Sequence, residues 1–256
     1  MPEPLLRVTG VAKSFGATAA LRDVSFTLDR GRTLGLVGGS GSGKSTLARL
    51  IAGFERPDRG QVTLEGRSAY TGADVQLIFQ EAAASLNPRF TAEAVLTEPL
   101  VIQKRGSPVS RREKAHEWLG QVGLSPAVSG KPAHEFSGGE RQRLAIARAL
   151  ILEPRLLILD ESFSGLDLLL AAQFADLLLA LRARLGLTCI LISHDLRLAA
   201  RISDEIAVMH QGEVVEHRPV AEVLSEPRHP HARELVEATR ALSLHPVERA
   251  SAPPLL

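Results

Sequence analysis

Apolar positions along this chain follow two rhythms. Short continuous runs occur at Leu34-Gly35-Leu36-Val37, Val75-Gln76-Leu77-Ile78-Phe79, Leu156-Leu157-Ile158-Leu159 and Leu187-Thr188-Cys189-Ile190-Leu191-Ile192. Their length and β-branched content predict buried strands. Near the N-terminus the rhythm is two: Val24, Phe26 and Leu28 alternate with polar neighbours, as do residues 61–66. With residues 5–9 they predict a small antiparallel sheet. Helical spacing governs Leu47, Leu50 and Ile51, with Gly53 as a stop. It also governs residues 92–103, residues 111–122 and residues 144–150. The alternation of helix and strand makes the chain α/β, and the helical patterns from about residue 83 to about 153 read as an insertion. Residues 166–181 form the most apolar stretch, interrupted by Asp167, Gln173 and Asp176. Those runs are far shorter than a membrane span needs, so a buried helix is expected.

Between the first buried strand and its helix lies Gly38-Gly39-Ser40-Gly41-Ser42-Gly43-Lys44-Ser45, followed by Thr46. This fits the phosphate-binding loop G-x-x-x-x-G-K-[ST] in its required strand–loop–helix setting. Its glycines let successive backbone N–H groups face one anion at the positive end of a helix. Lys44 should reach the β- and γ-phosphates, and the Ser45 hydroxyl should ligate Mg2+. A flexible linker would lack both the Lys-Ser ending and the flanking apolar elements.

Other positions earn their chemistry from where they stand. Phe15, in Lys13-Ser14-Phe15-Gly16, is an aromatic expected on a turn; it is either a loop anchor or a face for an adenine ring. Ser137-Gly138-Gly139-Glu140 has capping-box spacing, so a helix should begin there. Two glycines in its first turn weaken the helix while allowing an anion close to the backbone. Leu156-Leu157-Ile158-Leu159 ends in Asp160-Glu161, a carboxylate pair where ligand sites form in doubly wound sheets. Asp160 suits a magnesium shell and Glu161 a base for water. The last buried run ends in Ser193-His194-Asp195, and His194 reads as catalytic in that company.

Composition changes the picture little. The 256 residues include 45% hydrophobic types, enough for a sizeable core, and a formal net charge of +1 with scattered Lys and Arg. That leaves no electrostatic footprint for nucleic acid and argues against roles on DNA or ribosomes. Single Cys189 excludes an internal disulfide framework and fits a reduced core residue of a cytosolic strand. The N-terminus carries no apolar signal region.

Taken in order, the phosphate loop, Gln80, the SGGE segment, LLILDE, Ser164-Gly165-Leu166-Asp167 and His194 resemble the ATP-binding-cassette (ABC) ATPases, over about residues 5–240. The resemblance implies a P-loop NTPase fold: a RecA-like parallel sheet with a small antiparallel β subdomain, plus the inserted α-helical subdomain. The ATP-binding domain would span residues 1–240. A mobile tail would occupy residues 241–256, where three prolines lie among small and polar residues. It also implies head-to-tail dimers with ATP sandwiched between the phosphate loop of one subunit and the signature of the other. On that pattern Gln80 touches Mg2+ and the attacking water, Glu161 polarises that water and His194 meets the γ-phosphate. Ser137, Gly138 and Gly139 act on the partner's nucleotide, and Asp167 shapes the dimer seam.

Ser85-Leu86-Asn87-Pro88-Arg89 and Pro227-Arg228-His229-Pro230-His231 are similar to segments of the peptide/nickel importer subgroup. That likeness implies a second ATPase subunit, identical or not, two membrane permease subunits and an external substrate-binding protein. The chain would then work peripherally, on the cytoplasmic face of the membrane. The stretch after Gln80 would meet a coupling helix of the membrane subunit. An ATPase of a soluble assembly, such as a carbon–phosphorus lyase system, is the alternative. Four positions depart from the pattern: Gly39 for Glu, Glu140 for Gln, Ser162 for Pro and Gly165 for Ala. None removes a catalytic group, though Glu140 brings a carboxylate near a phosphate site. A C-terminal cysteine cluster is absent, so no iron–sulfur centre is expected. His229 and His231 around Pro230 make a poor metal site by themselves.

Overall fold

The computed structural model describes residues 3–79, 84–162 and 167–244. Gln80, Ser164, Gly165 and residues 245–256 of the expected tail lie outside the described residues. Two sheets form among the described residues. The smaller is antiparallel in the order β2-β1-β4, from β1 (Leu6–Phe15), β2 (Thr18–Leu28) and β4 (Arg59–Leu64). The larger has the order β5-β6-β7-β3-β8-β9, from β3 (Thr33–Val37), β5 (Val75–Ile78), β6 (Leu156–Asp160), β7 (Thr188–Ser193), β8 (Glu205–His210) and β9 (Glu213–Pro219). Its first five strands are parallel and β9 closes the edge antiparallel.

Why the central strands lack alternation is now plain. Every residue of β3, β6 and β7 is buried, because both faces of the sheet are covered. One face packs with α1 (Lys44–Ile51) and the antiparallel sheet, in a core holding Leu36, Leu47, Ile51, Ile158 and Ile190. The other face packs with α4 (Gly138–Leu150) and α5 (Leu168–Leu185), in a core holding Leu144, Leu157, Leu159, Leu178 and Cys189. Each fully buried Leu or Ile contributes about 2 kcal/mol. Cys189 is free, and burial pushes its thiol up to about 12, so it stays an unreactive core residue.

Between β5 and β6 the chain leaves the sheet for α2 (Ala92–Ile102), α3 (Pro108–Gln121) and α4, the helical insertion expected there. Residues 196–244, unread at the level of sequence pattern, supply α6 (Leu196–Ile202), β8, β9, α7 (Val220–Ser225) and α8 (Pro230–Leu244). The last helix runs four residues past position 240. Its entry is fastened by Glu216 of β9, a buried carboxylate that accepts from the backbone N–H of Arg228 and of His229, each at 2.9 Å.

Two expectations need correcting. Phe15 does not lie on a turn; it is the last residue of β1 and pairs with Thr18 across a two-residue connection. Irregular steps in the β1–β2 register, near Gly10 at φ 59°, let the hairpin extend that far. And α5 is not buried all round. Phe174, Leu178 and Leu181 form its inner stripe at i, i+4, i+7, while Leu169 is 68% exposed.

Candidate functional site

Parallel pairing gathers the site at one edge of the large sheet. In register, Val37 of β3 faces Ser193 of β7, and Asp160 of β6 faces Ile192 of β7. The segments leaving β3, β6 and β7 are the phosphate loop, Asp160-Glu161 and His194, so all three open at the same C-terminal edge.

The phosphate loop curls against β8. A Cβ on Gly38 would meet the Met209 carbonyl at 2.2 Å, and one on Gly43, at φ 104°, would meet the Ala20 carbonyl at 2.6 Å. Only glycine fits either place. Gly212 N–H donates to the Ser42 carbonyl at 3.0 Å and ties the loop to the β8–β9 turn. Gly39, Ser40 and Gly41 are exposed, leaving their backbone open to a ligand, while Ser42 is buried. The Lys44 ammonium donates to the carbonyls of Gly38 at 2.9 Å and Gly39 at 2.8 Å, and to Ser42 Oγ at 3.3 Å. Burial holds its pKa below the ordinary lysine value, partly offset by Glu161 and Asp160. A multiply charged anion in the loop would satisfy that cation better than neutral carbonyls do.

Ser45 Oγ donates to Asp160 Oδ1 at 3.2 Å, joining the start of α1 to the end of β6. Desolvation raises the Asp160 pKa, opposed by the Ser45 hydrogen bond, with Glu161 adding repulsion. A buried carboxylate beside a hydroxyl, next to a phosphate loop, is a hard oxygen set suited to Mg2+. Thr46 follows within α1, half-buried.

Glu161 stands just past β6 at φ 48°, a left-handed conformation that is strained for glutamate. Its N–H donates to the Ile192 carbonyl of β7 at 3.1 Å. The carboxylate reaches 4.0 Å from His194 Nδ1, and the imidazole is 64% exposed. Next to His194, Asp195 caps α6 by accepting from Arg197 N at 2.8 Å.

Ser137 and Glu140 close the capping box: Ser137 N–H donates to Glu140 Oε2 at 2.8 Å, and Glu140 N–H donates to Ser137 Oγ at 3.3 Å. Hydrogen bonds from Ser137 hold the Glu140 carboxyl below its ordinary pKa, so it is anionic at neutral pH. It therefore faces the backbone of its own helix end. Gly138 and Gly139 follow, and a Cβ on Gly139 would crowd Leu170 at 3.1 Å. Asp167 caps α5 there, accepting from Leu170 N at 2.8 Å. These signature contacts run within α4 and to α5, whereas those of the phosphate loop run to β8 and β6.

Phe15 is 49% exposed, with the Lys13 ammonium 5.4 Å from its ring centroid. Lys13 donates to Asp58 Oδ1 at 3.2 Å, and Ser14 N–H donates to Asp58 Oδ2 at 2.7 Å. One ring face is thus backed by a cation while the ring stays accessible. Nothing in the sequence pointed to Asp58, 43 positions from Phe15. Gln142 was also missed, and Ser162 stood out only as a departure from the family pattern; their link appears when α4 packs on β5: Gln142 Nε2 donates to the Ser162 carbonyl at 2.7 Å.

Away from this edge, a groove of about 410 Å³ separates β5 from the helical insertion. Phe79, Glu98, Ile102 and Arg148 are among its lining residues. Phe54 and Phe79, both exposed, stand ring to ring at 6.1 Å beside it. Arg148 pairs with Glu98 at 3.0 Å.

With the geometry established, known proteins can be set beside it. The family described as ABC transporter matches residues 21–164. The chain is 39% identical over 259 residues to the dipeptide transport ATP-binding protein DppF of Haemophilus influenzae, covering 94% of this chain and 79% of that protein. It is 43% identical over 223 residues to the probable D,D-dipeptide transport ATP-binding protein DdpF of Escherichia coli, covering 87% and 71%. Among solved structures, cbiO1 from Clostridium perfringens, part of the ABC transporter complex cbiONQ, superposes with a TM-score of 0.80 at 26% identity, covering 95% and 96%.

Proposed function

Because this chain belongs to the ABC transporter family, we propose that the C-terminal edge of its large sheet is where ATP is bound and hydrolysed to drive peptide import. The chain is the ATP-binding, ATP-hydrolysing subunit of an ABC importer of the dipeptide and peptide class. Relatives named for dipeptide transport favour that over a soluble carbon–phosphorus lyase assembly, and favour peptides over nickel chelates as cargo. No helix among the described residues is long and apolar enough to cross a membrane.

One observation carries the site reading: phosphate loop, paired carboxylates and His194 open together at the ends of three adjacent parallel strands. Gly38 to Ser42 and Thr46 would cradle the phosphates, with Gly43 setting the turn into α1 and Lys44 supplying positive charge. Phe15 would stack on the adenine. Ser45 and Asp160 would hold Mg2+, with Gln80 as a further contact from outside the described residues. When bound, that ion neutralises charge on the phosphates. Glu161 would take the proton of the attacking water and His194 would orient the γ-phosphate, a mechanism of positioning and charge rather than covalent chemistry.

Ser137, Gly138 and Gly139 would act on a second subunit's nucleotide: a helix N-terminus rich in glycine suits an anion, and their contacts lie within α4 and to α5. A second cassette would thus complete the site, with Asp167 at the seam. Two permease subunits and an external binding protein would complete the importer, with this chain at the cytoplasmic face of the membrane. The groove lined by Phe79 and Ile102 suits a helix of a permease.

The test is direct. Purified chain should hydrolyse ATP; Lys44→Ala should weaken ATP binding, and Glu161→Gln should bind ATP but stall as a dimer. Equal ATP affinity in Lys44→Ala, or full turnover in Glu161→Gln, would remove those roles. Detergent pull-down should recover integral membrane proteins; recovery of soluble enzymes alone would overturn the importer assignment.

A further inference from the structure

Glu161 occupies a conformation that its own backbone disfavours, so something must hold it there. A non-glycine residue at φ 48° persists only where its surroundings over-determine it. Three fastenings do so, from three different elements. Glu161 N–H is bound to the Ile192 carbonyl of β7 at 3.1 Å. Immediately after it, the Ser162 hydroxyl donates to the Ile78 carbonyl of β5 at 3.2 Å. The Ser162 carbonyl accepts from Gln142 Nε2 of α4 at 2.7 Å.

We propose that Ser162, fixed between Ile78 and Gln142, is the positioning residue that holds the Glu161 carboxylate in its working place and ties it to the signature helix. Ser162 is 1% exposed and Gln142 8% exposed, so neither bond has water as a ready substitute. Gln142 lies one turn into α4, behind the Ser137-Gly138-Gly139 end. Movement of that helix is therefore felt at the residue beside Glu161. Gln142 reaches Glu161 through the Ser162 backbone, whose carbonyl accepts from its Nε2.

This inference rests on Glu161 being the base for water. The experiment measures steady-state ATP hydrolysis and the affinity for a fluorescent ATP analogue, using full-length chain. Wild type and Glu161→Gln come first: no difference between them would defeat the proposed function itself. Given that difference, Ser162→Ala and Gln142→Leu should each lower kcat about fivefold, the worth of one buried hydrogen bond. KM and analogue affinity should stay within about twofold, because phosphate and adenine contacts are intact. The double variant should fall by less than the product of the single effects, since the two bonds anchor the same residue and are coupled through it.

Three results would overturn the proposal. One is unchanged kcat in both single variants. Another is loss of analogue affinity in step with kcat, as general loosening would give. The last is a double variant showing the full product, about 25-fold. Should Ser162→Ala not fold, Gln142→Leu reads the anchoring of Ser162 from the helix side, through its carbonyl.

Discussion

Ser45 Oγ and Asp160 Oδ1 lie 3.2 Å apart although 115 positions separate them in the chain. Parallel pairing of β3, β7 and β6 brings the two together, and the hydroxyl orients one oxygen of a buried carboxylate. Asp160→Asn should lower ATP hydrolysis about a hundredfold, on the scale of losing one preorganised charge contact. Titrating Mg2+ against hydrolysis rate checks this: the variant should need much more of the ion, while nucleotide binding without Mg2+ stays near wild type. An unchanged Mg2+ dependence would take Asp160 out of the metal shell.

Glu140 adds an anion where the helix end should attract one. Its carboxylate closes the capping box with Ser137, so it is ionised and turned toward its own backbone. Glu140→Gln can keep the hydrogen bond from Ser137 N–H while removing the charge. ATP-dependent pairing of the chain should then strengthen about two- to fivefold, the size of one charge at a helix terminus. Size-exclusion chromatography in the Glu161→Gln background, where turnover is off, gives the comparison. The gain should shrink at high salt.

Phe15 presents a half-exposed ring backed by Lys13. Phe15→Ala should weaken ATP binding about tenfold, in line with one base–aromatic stack. Phe15→Trp should retain it. An adenine stack would serve ground state and transition state alike, so KM should rise with kcat little changed. Equal affinity in Phe15→Ala would mean that the ring anchors the hairpin instead.

Glu216 ties the C-terminal helix to the sheet. Burial pushes its pKa up, but the N–H groups of His229 and Arg228 and the Arg218 guanidinium outweigh that and leave it below the ordinary glutamate value of 4.5. A depressed folded pKa stabilises the protein above the unfolded value, and the contribution is lost as pH falls through the folded one. Melting temperature should therefore drop as pH is taken below 4.5. Glu216→Gln should lose about 1–3 kcal/mol at neutral pH, since donors now face an amide nitrogen. Its further loss on acidification should be smaller than that of wild type.

Sequence alone determined what rests on local rules. Continuous apolar runs marked β3, β6 and β7 because strands covered on both faces have no polar side. The capping box of Ser137 and Glu140 and the phosphate loop were legible because their atoms meet within a few residues. Tertiary structure decided everything that needed distant residues to touch. It set the strand order that unites Gly38, Asp160, Glu161 and His194. It extended β1 to Phe15 and left one face of α5 in solvent. It joined Lys13 to Asp58 and seated Glu216 under residues 228 and 229. Ser162 shows the division most clearly: in the sequence it is a departure from a family pattern, and only the packing of β5 and α4 around it gives its hydroxyl and carbonyl partners. Such contacts depend on how whole elements stack, and no spacing along the chain encodes that.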